Sequence, residues 1–230
     1  MKLFVAGCSV SDYTKVSKVY GEFLAEKLGC EYVHEGAGCG SNWRIWRAIT
    51  GHIMSGDLTQ DDLLVVQYTG REREEFWSRF DPTAAEMRPN DIDHLCVTEV
   101  PDYGGSIIRY KAGAGEWQDQ PAVKDFFNTY EQNHLHITFE RDRFQTHNYM
   151  FQNMLLTKNI RTVFIRSQRS PSVPLSDLLP EFSKIAFTEP QTDISMYDLS
   201  SVDYDHMSQQ GHEVFAGWLY DHINKFNLKG

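Results

Sequence analysis

Leu63-Leu64-Val65-Val66, running on into Gln67-Tyr68-Thr69-Gly70, is the stretch that decides the fold. Four consecutive apolar residues, two of them β-branched, lie between Asp61-Asp62 and a glycine. A run that short, apolar on both of its alternating faces, is a strand covered on both sides, the pattern of a parallel sheet under helices. Working back, Leu3-Phe4-Val5-Ala6 ending in Gly7 reads as a second buried strand, and Cys30 to His34 as a third. Between these two lie Val16, Val19, Tyr20, Phe23, Leu24 and Leu28 at helical spacing, with Gly29 placed to end the helix in the left-handed conformation. Ser41 and Asn42 are placed to cap a further helix with an apolar stripe of Ile45, Trp46, Ile49 and Ile53, broken at Gly56-Asp57. Strand, helix, strand, helix, strand predicts an α/β fold with helices on both faces of the sheet. Ligands in such sheets bind beyond the carboxyl ends of the strands, so the loops Gly7–Ser11, Gly36–Asn42 and Tyr68–Glu72 are the ones to follow.

Downstream, Glu72 to Phe80 reads as a short charged helix. An insertion at about 81–120 interrupts the rhythm, with Leu95–Val100 and Ser106–Tyr110 forming a hairpin around Pro101-Asp102-Tyr103-Gly104-Gly105. Residues 121–157 return to helix, with Phe126, Phe127, Tyr130, Tyr149, Met150, Met154 and Leu155 available for burial. Thr162-Val163-Phe164-Ile165 is the next core strand, and a shorter one is expected near Ile185-Ala186-Phe187. From about Ser208 to Phe226, Val214, Phe215, Trp218, Leu219, Ile223 and Phe226 mark an amphipathic helix.

The composition narrows the function classes. At 230 residues with 41% hydrophobic residues, the chain is long enough to bury a real core as one large domain. Acidic residues outnumber basic ones by 32 to 22, giving a formal charge of −10 with no basic block. Phosphate neutralisation needs clustered Lys and Arg, so a nucleic-acid or anionic-membrane partner is disfavoured. Cys8, Cys30, Cys39 and Cys96 show no CxxC spacing and fit a reducing compartment, with neither a disulfide framework nor a zinc knuckle. Val5-Ala6-Gly7-Cys8 has the look of a lipoprotein cleavage box but lacks the apolar stretch of roughly 7–15 residues that a secretory signal requires. A cytoplasmic protein is the expectation.

Chemistry concentrates in two places. Ser9, in Gly7-Cys8-Ser9-Val10-Ser11-Asp12, follows the first strand directly. Asp203-Tyr204-Asp205-His206 precedes the last helix, and a D-x-x-H spacing lets one loop present an imidazole with the carboxylate that orients it. Asp203 is the orienter by spacing, with Asp205 the fallback.

On these residues the sequence resembles the SGNH/GDSL-type esterases. Their nucleophile lies in a G-D-S-like motif after the first strand, matched by Gly7-Cys8-Ser9-Val10. Their D-x-x-H before the last helix is matched by Asp203 to His206, with Gly211-His212 following as H-x-x-x-x-G-H. Their second block, which supplies an oxyanion-hole glycine, is matched by Gly38-Cys39-Gly40-Ser41-Asn42. The resemblance covers residues 1–72 and 160–228 and implies one domain over 1–230, a flavodoxin-like three-layer α/β/α sandwich with a central parallel sheet and a middle insertion. It implies a serine esterase that removes a small acyl group, most simply acetyl, from a saccharide or other small ester, with no cofactor. Ser9, His206 and Asp203 would be catalytic, and the oxyanion hole would be built from Ser9, Gly38, Gly40 and Asn42. Cys8 stands where the family has aspartate. The asparagine of the family's third block is absent from Gln67-Tyr68-Thr69-Gly70-Arg71-Glu72, so either Asn42 or a donor such as Thr69 fills the hole, or the site has lost that donor.

Tyr68, Thr69, Arg71 and Trp43 flank these loops and are candidate substrate contacts; a flat aromatic ring beside polar groups suits a sugar. An acyltransferase would use the same triad. A binding module without catalysis, for carbohydrate or nucleotide, is the rival, since Gly36-Ala37-Gly38-Cys39-Gly40 after a strand has the look of a phosphate loop. Its G-x-G-x-G spacing is not the dinucleotide G-x-G-x-x-G, which weakens that reading. The histidines, including His134 and His136, lack the H-E-x-x-H pattern and the acidic cluster of a metal site, so no metal is expected.

Overall fold

Three strands near the amino terminus and one after residue 160 carry the alternation that a doubly covered sheet demands. In the computed structural model, residues 1–8, 11, 13, 16–37, 41–69, 141–166, 174–188 and 207–228 are described in full, and 73–78, 95–100, 105–111 and 137–140 by their backbone. The elements are β1 (Lys2–Gly7), α1 (Tyr20–Leu28), β2 (Glu31–Gly36), α2 (Asn42–Ser55), β3 (Leu63–Gln67), β4 (Arg73–Ser78), β5 (Leu95–Val100), β6 (Gly105–Lys111), α3 (Ile137–Thr157), β7 (Arg161–Arg166), α4 (Pro180–Ser183), β8 (Phe187–Thr188) and α5 (Gln209–Lys225). Five of the strands form one sheet in the order β2-β1-β3-β7-β8. Every pairing in it is parallel, with Phe4 opposite both Val33 and Leu64, and Val65 opposite Val163. The expected α/β/α sandwich around a central parallel sheet is the architecture observed.

Side chains alternate across the sheet because successive Cβ atoms point to opposite faces. Leu3, Val5, Leu63, Val65, Val163 and Ile165 pack beneath α1 and α5 with Tyr20, Leu24, Phe215, Leu219 and Ile223. Phe4, Ala6, Leu64, Val66 and Phe164 pack on the other face with Ile45, Trp46 and Ile49 of α2 and Phe144, Phe151 and Leu155 of α3. The helix ends follow local chemistry. Gly29 and Gly56 close α1 and α2 at φ 66° and 80°, a region that costs glycine little. Ser208 caps α5 by accepting the Gly211 N–H at 3.0 Å.

Three expectations change and one is extended. Glu72 to Phe80 is not a helix: Arg73–Ser78 is strand β4, antiparallel to β6, with Arg73 opposite Lys111 and Ser78 opposite Ser106. Its charges suit a helix, but pairing with a strand some 30 residues on overrides local propensity, and Phe76-Trp77 favour a pleated surface. The hairpin is present as β5–β6, with Val97 opposite Ile108, and β4 widens it to a three-stranded antiparallel sheet in the order β4-β6-β5. Tyr149 and Met150 are exposed, at 59% and 63%. The buried stripe of α3 runs instead through Phe144, Asn148, Phe151, Gln152 and Leu155, and its two amides are held by polar partners. Val214 likewise lies on the outer side of α5. Phe126, Phe127, Tyr130, His134 and His136 lie outside the described residues.

Candidate active site at the carboxyl edge of the sheet

From β1 the chain moves outward to β2 on one side and then crosses to β3 on the other. The carboxyl ends of β1 and β3 therefore form the topological switch point of the sheet, where diverging connections leave a crevice. The three loops singled out in the sequence leave the adjacent strands β2, β1 and β3 at that edge. Ser9 is the second residue after β1.

Close packing at this edge explains two glycines. After β1 the chain turns back, with the Ser11 N–H donating to the Cys8 carbonyl at 2.9 Å, while the Ala37 N–H donates to the Gly7 carbonyl at 3.3 Å. A Cβ on Gly7 would overlap the Ser11 hydroxyl, and one on Gly36 would overlap the Ser11 carbonyl. Absence of both side chains lets the turn lie directly on the strand ends.

Beneath that turn is a buried polar network. The Ser11 hydroxyl donates to Oε1 of Gln67, the last residue of β3, and the Tyr20 hydroxyl reaches Ser11 Oγ at 2.9 Å and Gln67 Oε1 at 3.4 Å. Ser11, Tyr20, Gln67 and His212 are all buried. The Tyr20 peptide N–H donates to His212 Nδ1 at 3.1 Å, and the two rings stack with 9° between their planes. An accepting Nδ1 carries no proton, which fixes a neutral imidazole with its hydrogen on Nε2. Gln209, in the first turn of α5, clamps the same segment: its Oε1 accepts from Ser17 N, Ser17 Oγ and Lys18 N, and its Nε2 donates to the Lys18 carbonyl at 2.7 Å. The start of α5, three residues after His206, is thus docked on residues 17–20.

The loops after β2 and β3 are tied by Asn42. Its Nδ2 donates to the Thr69 carbonyl and its Oδ1 accepts the Thr69 N–H, each at 3.0 Å, both residues being buried. The cap of α2 falls to Ser41 alone, which accepts from Arg44 N at 3.2 Å, while Asn42 is the first helical residue. Tyr68 turns into the α2–α3 side of the core, stacks on Phe164, and gives its hydroxyl to Asn148 Oδ1. Burial pushes its phenol far above the ordinary range. Asn148 and Gln152 in turn donate to the Asp177 carbonyl, at 2.8 and 2.9 Å. Trp43 is half-buried, with the Arg143 guanidinium 4.2 Å above its ring and His147 against it edge to face.

Of the residues expected to act, Asn42, Trp43, Tyr68 and Thr69 are placed at or beside this edge. Ser9, Gly38, Gly40, Arg71, Asp203, Asp205 and His206 lie outside the described residues. Sequence reading passed over Ser11, Tyr20 and Asn148 and gave Gln67 and His212 no role. The signals were a glutamine closing an otherwise apolar strand and a histidine on a helix face that has to be buried.

Every described histidine has a structural partner. His34 bonds Tyr32, His52 pairs with Glu35 at 2.7 Å, His147 and His222 meet backbone carbonyls, and His212 holds Tyr20. Ser55, His52 and Asp57 cluster without forming a catalytic relay, because Ser55 bonds the aspartate directly while His52 Nε2 faces Glu35. Among the described residues, no group of three or more His, Cys, Asp or Glu is placed to hold a metal ion, and no helix is long and apolar enough to cross a membrane.

No protein-family model matches the chain, and no curated protein does. Solved structures similar to it include the following two. One is a protein assigned to the lipolytic G-D-S-L family, from Desulfitobacterium hafniense DCB-2, at 10% identity over 96% of this chain and 98% of that one, with a TM-score of 0.48. The other is the psychrotrophic esterase EstA from Pseudoalteromonas sp., inhibited by monoethylphosphonate, at 10% identity over 98% of both chains, with a TM-score of 0.49. Likenesses this distant carry no weight for the chemistry of this chain.

Proposed function

We propose that this chain is a serine esterase acting on a small acyl ester, an acetyl group on a carbohydrate being the substrate its surroundings suit best. One observation carries the reading: the serine and the histidine next along the chain from the proposed pair, Ser11 and His212, are committed to structural bonds. Ser11 is buried with its hydroxyl given to Gln67, and His212 is buried with Nδ1 accepting a backbone N–H. Ser9 and His206 remain. Ser9 follows β1 in sequence at the switch point, and His206 precedes a helix whose first turn docks on residues 17–18, just ahead of α1.

In this reading the Ser9 hydroxyl attacks the ester carbonyl carbon while His206 takes its proton and Asp203 holds the imidazole in the accepting tautomer. The carbonyl π electrons move to oxygen, and the N–H groups of Ser9, Gly38 and Gly40 receive the charge. Asn42, tied to Thr69 by its amide, is the side-chain member of the hole. Collapse breaks the bond to the leaving alcohol, which takes the proton from His206. Water then repeats the sequence on the acyl-enzyme, releasing the acid and restoring the Ser9 hydroxyl. Trp43 supplies an apolar wall, Arg71 and Thr69 polar contacts at the β3 exit, and Tyr68 holds that exit against α3.

The test is hydrolysis of p-nitrophenyl acetate and of an acetylated methyl glycoside. Ser9→Ala lowers kcat by about 10⁴-fold or more, as loss of a triad nucleophile does. Loss in Asp203→Asn with retention in Asp205→Asn identifies the orienter. A folded wild-type protein that cleaves neither ester, transfers no acyl group to a sugar, and gains thermal stability with NAD or ATP would establish the binding-module reading instead.

A further inference from the structure

Tyr20 is bonded at both ends of one residue. Its hydroxyl meets Ser11 and Gln67 under the turn that follows β1, and its peptide N–H meets His212 on α5. Gln67 Oε1 can only accept, and the Ser11 and Tyr20 hydroxyls both reach it while lying 2.9 Å from each other. The His212 contact joins elements 192 positions apart in sequence, and all four residues are buried. The turn they hold contains Ser9, and the helix they hold begins three residues after His206.

We propose that Tyr20 is a positioning residue that sets the separation between the nucleophile-bearing turn and the base-bearing start of α5; this rests on the esterase reading. Its described bonds go to Ser11, Gln67 and His212, so it acts through the segments it holds. Two links from one residue, one through its hydroxyl and one through its peptide N–H to a stacked imidazole, fix both catalytic segments to a common reference. A catalytic geometry tolerates little drift, since a displacement of about 1 Å can cost about 100-fold in rate.

Tyr20→Phe tests the inference, because it keeps the ring on His212 and Phe215 and the backbone N–H while deleting the hydroxyl. At a temperature well below the unfolding midpoint, kcat falls ten- to a hundred-fold with KM unchanged. Hydrogen exchange at the Ser11 amide, bonded to Cys8, accelerates in the same variant. Ser11→Ala removes the same bond from its other end and reproduces both effects. On the α5 side, His212→Leu lowers kcat, while His212→Asn, whose Oδ1 can replace Nδ1 as acceptor, restores most of it. Wild-type kcat in Tyr20→Phe overturns the proposal, as does a loss of kcat with unchanged exchange at Ser11. If the wild-type protein has no esterase activity, the esterase reading fails and the exchange arm stands alone: unchanged exchange in both Tyr20→Phe and Ser11→Ala would show that Tyr20 does not hold the turn.

Discussion

Asn42→Ala removes the tie between the loops after β2 and β3, and its cost can be worked from the geometry. The Asn42 amide makes both Thr69 bonds, donor to its carbonyl and acceptor from its N–H, each at 3.0 Å. Thr69 is 3% exposed, so truncation leaves a buried N–H and a buried carbonyl without these partners. A buried polar group deprived of its partner costs about 1–3 kcal/mol. Two such groups, relaxed in part by water entering the space vacated, give an expected loss of about 3 kcal/mol. In a urea titration with a slope of about 2.5 kcal/mol/M, the midpoint drops by about 1.2 M with the slope unchanged. Asn42→Asp keeps the acceptor for the Thr69 N–H but sets a carboxylate against the Thr69 carbonyl, so it falls between the two. A midpoint for Asn42→Ala within about 0.3 M of wild type would refute the claim that this amide holds the two loops together.

Other consequences are directly measurable. Burial alone would raise the Asp62 pKa, but bonds from Lys2 N, Thr59 N and Thr59 Oγ1 outweigh it and hold the carboxyl below its ordinary value. With the folded pKa depressed, Asp62 contributes stability above the unfolded pKa near 4 and loses it as pH falls through the folded value. Asp62→Asn therefore costs about 1.5–3 kcal/mol at pH 7 and flattens the acid limb of a stability–pH curve, whereas an unchanged limb would count against those bonds. Gly36→Ala forces a methyl group into the Ser11 carbonyl and costs about 1–3 kcal/mol by chemical denaturation; a neutral outcome would contradict the close approach at the strand ends. Gln152→Leu leaves the Leu179 N–H without its 2.7 Å acceptor and weakens the hold on the Asp177 carbonyl, at a cost of about 2 kcal/mol, read as a lowered midpoint.

Legibility in the sequence followed the range of the interactions involved. Leu63–Val66, Leu3–Ala6 and Val163–Ile165 announced the sheet because burial on both faces selects unbroken apolar runs. Gly29, Gly56, Ser41 and Ser208 announced helix ends because capping is local chemistry. Arg73–Ser78 misled because its conformation is set by β6, not by its own charges. Tyr149 and Met150 misled because hydrophobicity alone does not say which face of α3 is inward, and Asn148 and Gln152 won that face through Asp177. The polar layer under the β1 turn was invisible for the same reason: Ser11 finds Gln67 across 56 positions, and Tyr20 finds His212 across 192. Motif spacing pointed to Ser9 and His206, and the engagements of Ser11 and His212 are what separate them from their neighbours.

The most direct measurement is peptide mapping of the folded protein after reaction with a serine-directed fluorophosphonate. One adduct is expected, on the peptide containing Ser9, formed by the wild-type protein and abolished in His206→Ala. A folded protein that forms no adduct, an adduct on a different serine, or undiminished labelling of Ser9 in His206→Ala would contradict it.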